Sequence, residues 1–356
     1  MTMPSDFGQP FALPSRRPQR GLFHQMSSLA RSLVTRPRPD LASQTAADAG
    51  EDAGDLLAKP ARPMPWPDPV RSYPDLDVRF DADTRVYWQW MRPRGRPSYT
   101  MDLLSAMADS LIQAQRLSAS SPGAVRYLVT ASRIPGIYNL GGDLPHFAKL
   151  IEQADRDSLR RYAHACIDVQ YARAAKRGQP YVSVSLVQGD TLGGGFECAL
   201  ADDVIVAERG TKFGLPEVLF GLFPGMGAYS FLSRKIGDAM AERMMVSGKV
   251  YTAEELYDLG LVTVLAEPGE GEAAVNAFVK SDQRAFRART ALSRIRQRVE
   301  PVTRAELLDV TETWVDAALT LGPGDLRKMR RLASAQDRRW QEIRNPAAAT
   351  RQADGA

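Results

Sequence analysis

The chain has 356 residues, 44% of them hydrophobic and 25% charged, and a formal net charge of +4, enough to bury one substantial core plus accessory elements. Its longest apolar runs, such as Tyr181 to Val187 and Val204 to Ala207, are strand-sized and far short of the roughly 20 residues a membrane-spanning helix needs. Two cysteines (Cys166, Cys198) and three scattered histidines (His24, His146, His164) offer no zinc-ligand spacing, so no metal is expected, and they point to a reducing, cytoplasmic setting.

Residues 1 to about 72 are rich in proline, arginine, alanine and small polar residues, basic at first and acidic in the middle (Asp48, Glu51, Asp52, Asp55). That is poor material for a core, and a disordered extension is expected. Within it Leu22, Met26, Leu29 and Leu33 recur at helical spacing beside Arg31 and Arg36, predicting a short amphipathic helix. Three readings stay open for it: a tail without a specific role, a partner contact, or an organelle-targeting segment.

From Val78 the pattern is globular. It predicts a strand rich in aromatic residues at 86–91, a helix at about 100–117, a strand at 127–131, a helix at 155–177 and a strand at 181–188. A helical turn after Glu197, strands at 204–207 and 212–214, and helices at about 227–236, 238–247 and 252–259 follow. Repeated strand–helix units joined by right-handed crossovers favour parallel sheets. Residues 271–340 read as helices rich in Arg and Leu, separated by Pro301 and Gly322-Pro323-Gly324, and 341–356 as a disordered tail. Basic residues crowd 284–298 and 327–339. Such a face is a solvated helix surface, a dock for an acidic carrier protein, or a nucleic-acid contact, and no nucleic-acid motif supports the last.

Two glycine segments follow apolar strands: Tyr138-Asn139-Leu140-Gly141-Gly142-Asp143, and Leu192-Gly193-Gly194-Gly195-Phe196-Glu197. Glycine turns let backbone N–H groups approach a ligand closely, and two of them can aim two donors at one oxygen. Glu197 lies between Phe196 and Cys198-Ala199, and Glu217 between Pro216 and Val218-Leu219-Phe220. A carboxylate in such surroundings is costly unless it is paired or used. Together these groups can hold a thioester carbonyl, stabilise the enolate it becomes, and move protons at the neighbouring carbons. Asp143 reads as a cap for the following turn, and Cys198 as a small buried thiol rather than a nucleophile.

At these residues the chain resembles the crotonase (enoyl-CoA hydratase) superfamily, from about Tyr73 to about Arg339. Within it the likeness is to the diffusible signal factor synthases, through Tyr-Asn-Leu-Gly-Gly-Asp-Leu at 138–144, Phe-Gly-Leu-Pro-Glu-Val-Leu-Phe at 213–220, Leu-Phe-Pro-Gly-Met-Gly-Ala-Tyr-Ser at 222–230 and Thr-Trp-Val-Asp-Ala-Ala-Leu at 313–319. The resemblance implies an α/β, crotonase-like spiral of ββα units with stacked sheets over 73–270 and a C-terminal helical region over 271–340. It implies Gly142 and Gly194 as oxyanion-hole donors with Gly193 beside the substrate, and Glu197 and Glu217 as the acid/base pair. Leu192, Met226, Trp314 and Leu332 are candidates for an apolar acyl tunnel, or for ordinary core packing. No cofactor is implied, and a homo-oligomer, a trimer or hexamer, is expected by analogy.

The activity implied is that of a signal synthase acting on a 3-hydroxyacyl acyl carrier protein. Glu217 takes the C2 proton and Glu197 protonates the departing hydroxyl, giving a cis-2-enoyl thioester. Hydrolysis, with Glu197 activating water, then releases the cis-2-unsaturated fatty acid. One alternative is an enoyl-CoA hydratase or isomerase of fatty-acid metabolism. Another is a non-catalytic module whose basic helices engage a sensor kinase or other regulator. The segment Trp90 to Tyr99 lacks the Asn-Ala-Leu type sequence usual in coenzyme A hydratases, which favours a carrier-bound acyl group.

Overall fold

The computed structural model describes residues 72–121 and 123–344. The expected extension up to residue 71, with the amphipathic helix read over Leu22 to Leu33, lies outside the described residues, as do 345–356.

Among the described residues ten strands form two sheets. The larger begins with an antiparallel hairpin, β1 (Leu76–Asp81) and β2 (Val86–Met91), and continues in parallel through β3 (Tyr127–Ser132), β5 (Val182–Val187), β7 (Val204–Glu208) and β10 (Val264–Ala266). The smaller runs β4 (Gly136–Asn139), β6 (Gly189–Leu192), β8 (Lys212–Gly214) and β9 (Val250–Thr252), parallel except for the last pair.

The two-residue period of a strand divides the larger sheet's side chains between two cores. Val86, Trp88 and Trp90 of β2, with Tyr127, Val129 and Val184, face helix α8 (Gly271–Asp282) through Val275, Phe278 and Val279. Tyr87, Met91 and Leu128 face the opposite way, into a larger core with α1 (Met101–Ser120) and α3 (Arg156–Ala175). Each fully buried side chain of this size contributes roughly 1.5–3 kcal/mol, so these two layers carry the fold. Helix α10 (Arg304–Leu319) lies along α3, and α11 (Pro323–Arg344) along α2 (Leu144–Glu152).

One polar group crosses the larger core. Arg173 of α3 is wholly buried and donates to Thr130 of β3, Ser185 of β5 and the Asp202 carboxylate. Removing one partner from such a pair costs about 3–5 kcal/mol, because it strands the other charge.

The long elements fall where the hydrophobic pattern puts them. Two sequence expectations differ. The strand read over 181–188 breaks at Gln188 and continues as β6 in the other sheet. The helix expected after Glu197 begins before it, as α4 (Gly194–Leu200), because Gly193 already turns the chain.

Candidate active site

The smaller sheet explains why residues far apart in sequence meet. β4, β6 and β8 are neighbours and run parallel, so their C-terminal ends open on one side. β4 delivers Gly141-Gly142, β6 delivers Gly193-Gly194, and β8 delivers Glu217 through the 3₁₀ turn Pro216–Phe220. Crevices at strand carboxyl ends are the usual ligand sites of open α/β sheets.

Gly193 has φ +51° and ψ −125°, a conformation closed to residues with a side chain. That turn makes Gly194 the first residue of α4, so its N–H has no partner within the helix. In the other segment the Gly141 N–H donates to Asn139 Oδ1 at 2.8 Å and its carbonyl accepts from the Tyr99 N–H at 2.8 Å. The Gly142 N–H is left without an acceptor among the described residues. The segments touch, since a Cβ on Gly194 would lie 3.6 Å from the Gly142 nitrogen. Behind Gly142 stands the Phe147 ring, 2.5 Å from where a Cβ would be, so any side chain at this position has to displace that buried ring.

Glu197 follows one turn after Gly194 on α4 and is buried. Its Oε1 accepts from the Met226 N–H at 2.8 Å and the Ala228 N–H at 3.1 Å, the latter at the start of α5 (Ala228–Ile236). Burial pushes its pKa up to about 7 against these two bonds, which pull it down. Glu217 is half-buried as a residue, but its carboxyl end is enclosed. Oε1 lies 2.6 Å from where a Gly193 Cβ would be, and Oε2 has no partner. Desolvation, and then the Glu197 charge, hold Glu217 well above the ordinary carboxyl range. Two carboxyls pushed apart in this way suit a base and an acid working at one pH.

These groups line a cavity of about 40 Å³. Gly142, Gly194, Glu197, Glu217, Met226 and Trp314 are all on its wall. Gly193 lies directly behind Glu217. Leu192 and Leu332 are not on the wall: Leu192 packs with Ile137, Leu140 and Trp340, and Leu332 against the main core. The sequence reading missed Tyr99, Phe147, Tyr162, Cys166 and Gln170, which line the cavity together with Leu144, Phe220 and Gly225. Phe147 meets Tyr162 edge-on at 4.8 Å and Trp314 at 5.3 Å, forming an aromatic back wall. A signal for Phe147 existed: Asp143 caps α2 by accepting from the His146 N–H at 3.3 Å, and Phe147 is, with Leu144, an inward residue of that first turn.

Cys166 and Cys198 are both buried, and burial pushes both thiols up, which removes them as nucleophiles. Among the described residues no group of three or more His, Cys, Asp or Glu is placed to hold a metal, and no helix is long and apolar enough to cross a membrane.

The geometry is matched by likeness to known proteins. Rat (Rattus norvegicus) mitochondrial methylglutaconyl-CoA hydratase is 30% identical over 184 residues, 51% of this chain and 55% of the rat protein. The chain thus spans about half the length of this relative. Among solved structures, an enoyl-CoA hydratase from Bacillus halodurans superposes with a TM-score of 0.61 at 20% identity, covering 72% of this chain and 99% of that one. Human mitochondrial delta3-delta2-enoyl-CoA isomerase superposes with a TM-score of 0.62 at 17% identity, covering 74% and 99%. At such identities the two superpositions speak for the α/β crotonase fold. The enoyl-CoA hydratase/isomerase family model matches residues 96–295, which contain both glycine segments and both glutamates. Because that match takes in more than half of the chain and the residues that build the cavity, the chain belongs to the enoyl-CoA hydratase/isomerase family.

Proposed function

We propose that the chain adds water reversibly across the C2–C3 double bond of an enoyl thioester. The observation that carries this reading is the pair of acceptor-free N–H groups, at Gly142 and Gly194, beside two enclosed carboxyls of unequal acidity. The thioester oxygen sits between the two N–H groups, whose bonds strengthen as it becomes an enolate oxygen. Ionised Glu197, held by the Met226 and Ala228 N–H groups, takes a proton from the water that attacks C3. Protonated Glu217 gives its proton to C2. A proton passing from Glu197 to Glu217 through solvent restores the starting state. In the reverse direction a 3-hydroxyacyl thioester loses its C2 proton to Glu217 and its hydroxyl as water with the help of Glu197. A water needs about 10–15 Å³ of such space, so the cavity has room for the nucleophile.

The test is loss of the conjugated enoyl absorbance of crotonyl-CoA with purified protein. Glu197→Gln and Glu217→Gln should each lower turnover by about 10² or more, as loss of a general acid or base implies. Wild-type turnover in both variants removes these roles.

A second reading, a signal synthase that dehydrates a carrier-bound 3-hydroxyacyl thioester and hydrolyses the product to the free acid, has one specific support. Gly225 and Trp314 belong to two of the sequence blocks on which the resemblance to those synthases rests, and they form one wall of the cavity: a Cβ on Gly225 would lie 2.4 Å from the Trp314 ring. Mass spectrometry after incubation with a 3-hydroxyacyl carrier protein separates the readings. A free cis-2-enoic acid speaks for the synthase, and thioester products alone speak for the hydratase.

A further inference from the structure

A second cavity, about 50 Å³, lies at the far end of the same helices that build the first. On α3, Cys166 and Gln170 line the first cavity and Ala174, one turn on, lines the second. On α4, Glu197 lines the first, and Leu200, one turn on, the second. Helix α5 starts at Ala228, whose N–H holds Glu197, and carries Phe231, Arg234 and Lys235 to the second. The two spaces approach each other at Gly227. A Cβ there would lie 2.7 Å from the Phe231 ring and 2.9 Å from Gln170 Oε1, a buried oxygen with no hydrogen-bond partner.

The second cavity differs from the first in charge. Arg234 is neutralised by Glu306 through two 2.8 Å bonds, and Lys176 and Arg296 both pair with Asp203. The Asp202 carboxylate turns inward to Arg173. Glu300 is exposed. Lys235 alone among these cations has no carboxylate within ion-pair distance in the described residues; its Nζ donates to the Asp202 carbonyl at 3.0 Å. Desolvation, with the Arg296 charge beside it, pulls its pKa down to about 8, a shift that an arriving anion would reverse.

We infer that the second cavity receives a carboxylate at the distal end of the acyl chain, so that the substrate is an enoyl or 3-hydroxyacyl thioester with a terminal carboxylate and Lys235 as its partner. This rests on the hydratase reading of the first cavity. The chain enters past Glu197, displaces the Phe231 ring, and brings its terminus to the Nζ. The seven residues of α4 advance about 10 Å at 1.5 Å each. An extended chain covers that distance in about nine bonds, at roughly 3.4 Å for every three. An acyl group of about ten carbons therefore fits, and much shorter diacids do not reach.

Two ten-carbon trans-2-enoyl-CoA thioesters, one ending in a carboxylate and one in a methyl group, provide the test on the full chain. The wild type should favour the carboxylate by at least about 10-fold in kcat/KM. Lys235→Met should bring the ratio near one, and Lys235→Arg should keep most of it. A purely structural loss at Lys235 would lower both substrates together, so an unchanged ratio in Lys235→Met overturns the inference, as does a wild type without preference. Calorimetric affinities of the corresponding saturated thioesters read the same ratio without catalysis. Should hydration be absent while these affinities still differ through Lys235, the hydratase reading fails and the anion site stands. A small free dicarboxylate such as succinate is the other source of such an anion. If it competes equally against both thioesters in the wild type, the site takes free anions and the distal-carboxylate assignment is wrong.

Discussion

Glu197 sits in a buried site that two backbone N–H groups only partly compensate, and the consequence is measurable apart from activity. Folding raises its pKa from an ordinary 4.5 to about 7. Below about pH 4.5 the group is protonated in both folded and unfolded states and costs nothing. As pH rises through 7 the unfolded chain has long since ionised while the folded one resists, and stability is lost. Each unit of displacement is worth about 1.4 kcal/mol, so Glu197→Gln should gain about 3–4 kcal/mol on the wild type at pH 8 and little at pH 4.5. Urea unfolding at the two pH values checks this, and an equal difference at both would show that Glu197 is not desolvated. On the proposed hydratase reading Glu197 must be ionised, so kcat/KM should rise with pH through about 7 in the wild type. Glu197→Gln should lack that limb. Both glutamates were legible in the sequence because a carboxylate among apolar neighbours demands a reason. Tyr162 and Gln170 were not, because inward residues of an amphipathic helix look alike whether they face a core or a substrate.

The strands that assemble the site are three or four residues long, too short for a two-residue period to stand out. The glycines after them were visible; the strand order β4-β6-β8 that makes them neighbours was not, since pairing is a long-range property. The basic helix shows the converse case. Helix α9 (Phe286–Val299) was legible as a helix, but its place in the fold was not. Ser293 and Arg296 anchor it to Asp203, just before β7, which puts it at the N-terminal edge of the larger sheet. The glycine segments lie beyond the C-terminal ends of β4 and β6. A carrier docked on α9 would therefore sit away from the mouth of the cavity. Arg294→Glu with Arg298→Glu should change turnover of carrier-bound and pantetheine-bound substrates by the same factor, within about two-fold at low salt. A loss confined to the carrier-bound substrate, and erased by added salt, would place carrier docking on this helix.

On the scale of the whole molecule, residues 72–344 close their own cores. Both faces of the larger sheet are covered, by α8 on one side and by α1 and α3 on the other, and the cavity wall is built from segments between Tyr99 and Trp314. The hairpin of β1 and β2 begins the larger sheet within this span, with Leu76 buried against the main core and Asp75 accepting from the backbone and side chain of Arg94. A chain shortened by residues 1–70 retains every buried contact described above. It should unfold in one cooperative transition within a few degrees of the full chain, which is under about 1 kcal/mol for a domain of this size. On the proposed hydratase reading its kcat/KM should match the full chain within about two-fold, because no group assigned to the cavity lies in the deleted part. Differential scanning calorimetry and the crotonyl-CoA assay on the two proteins decide it. A broad, non-cooperative transition in the shortened protein would mean that the first seventy residues supply part of the core, and an intact transition with lost turnover would mean that they supply part of the site.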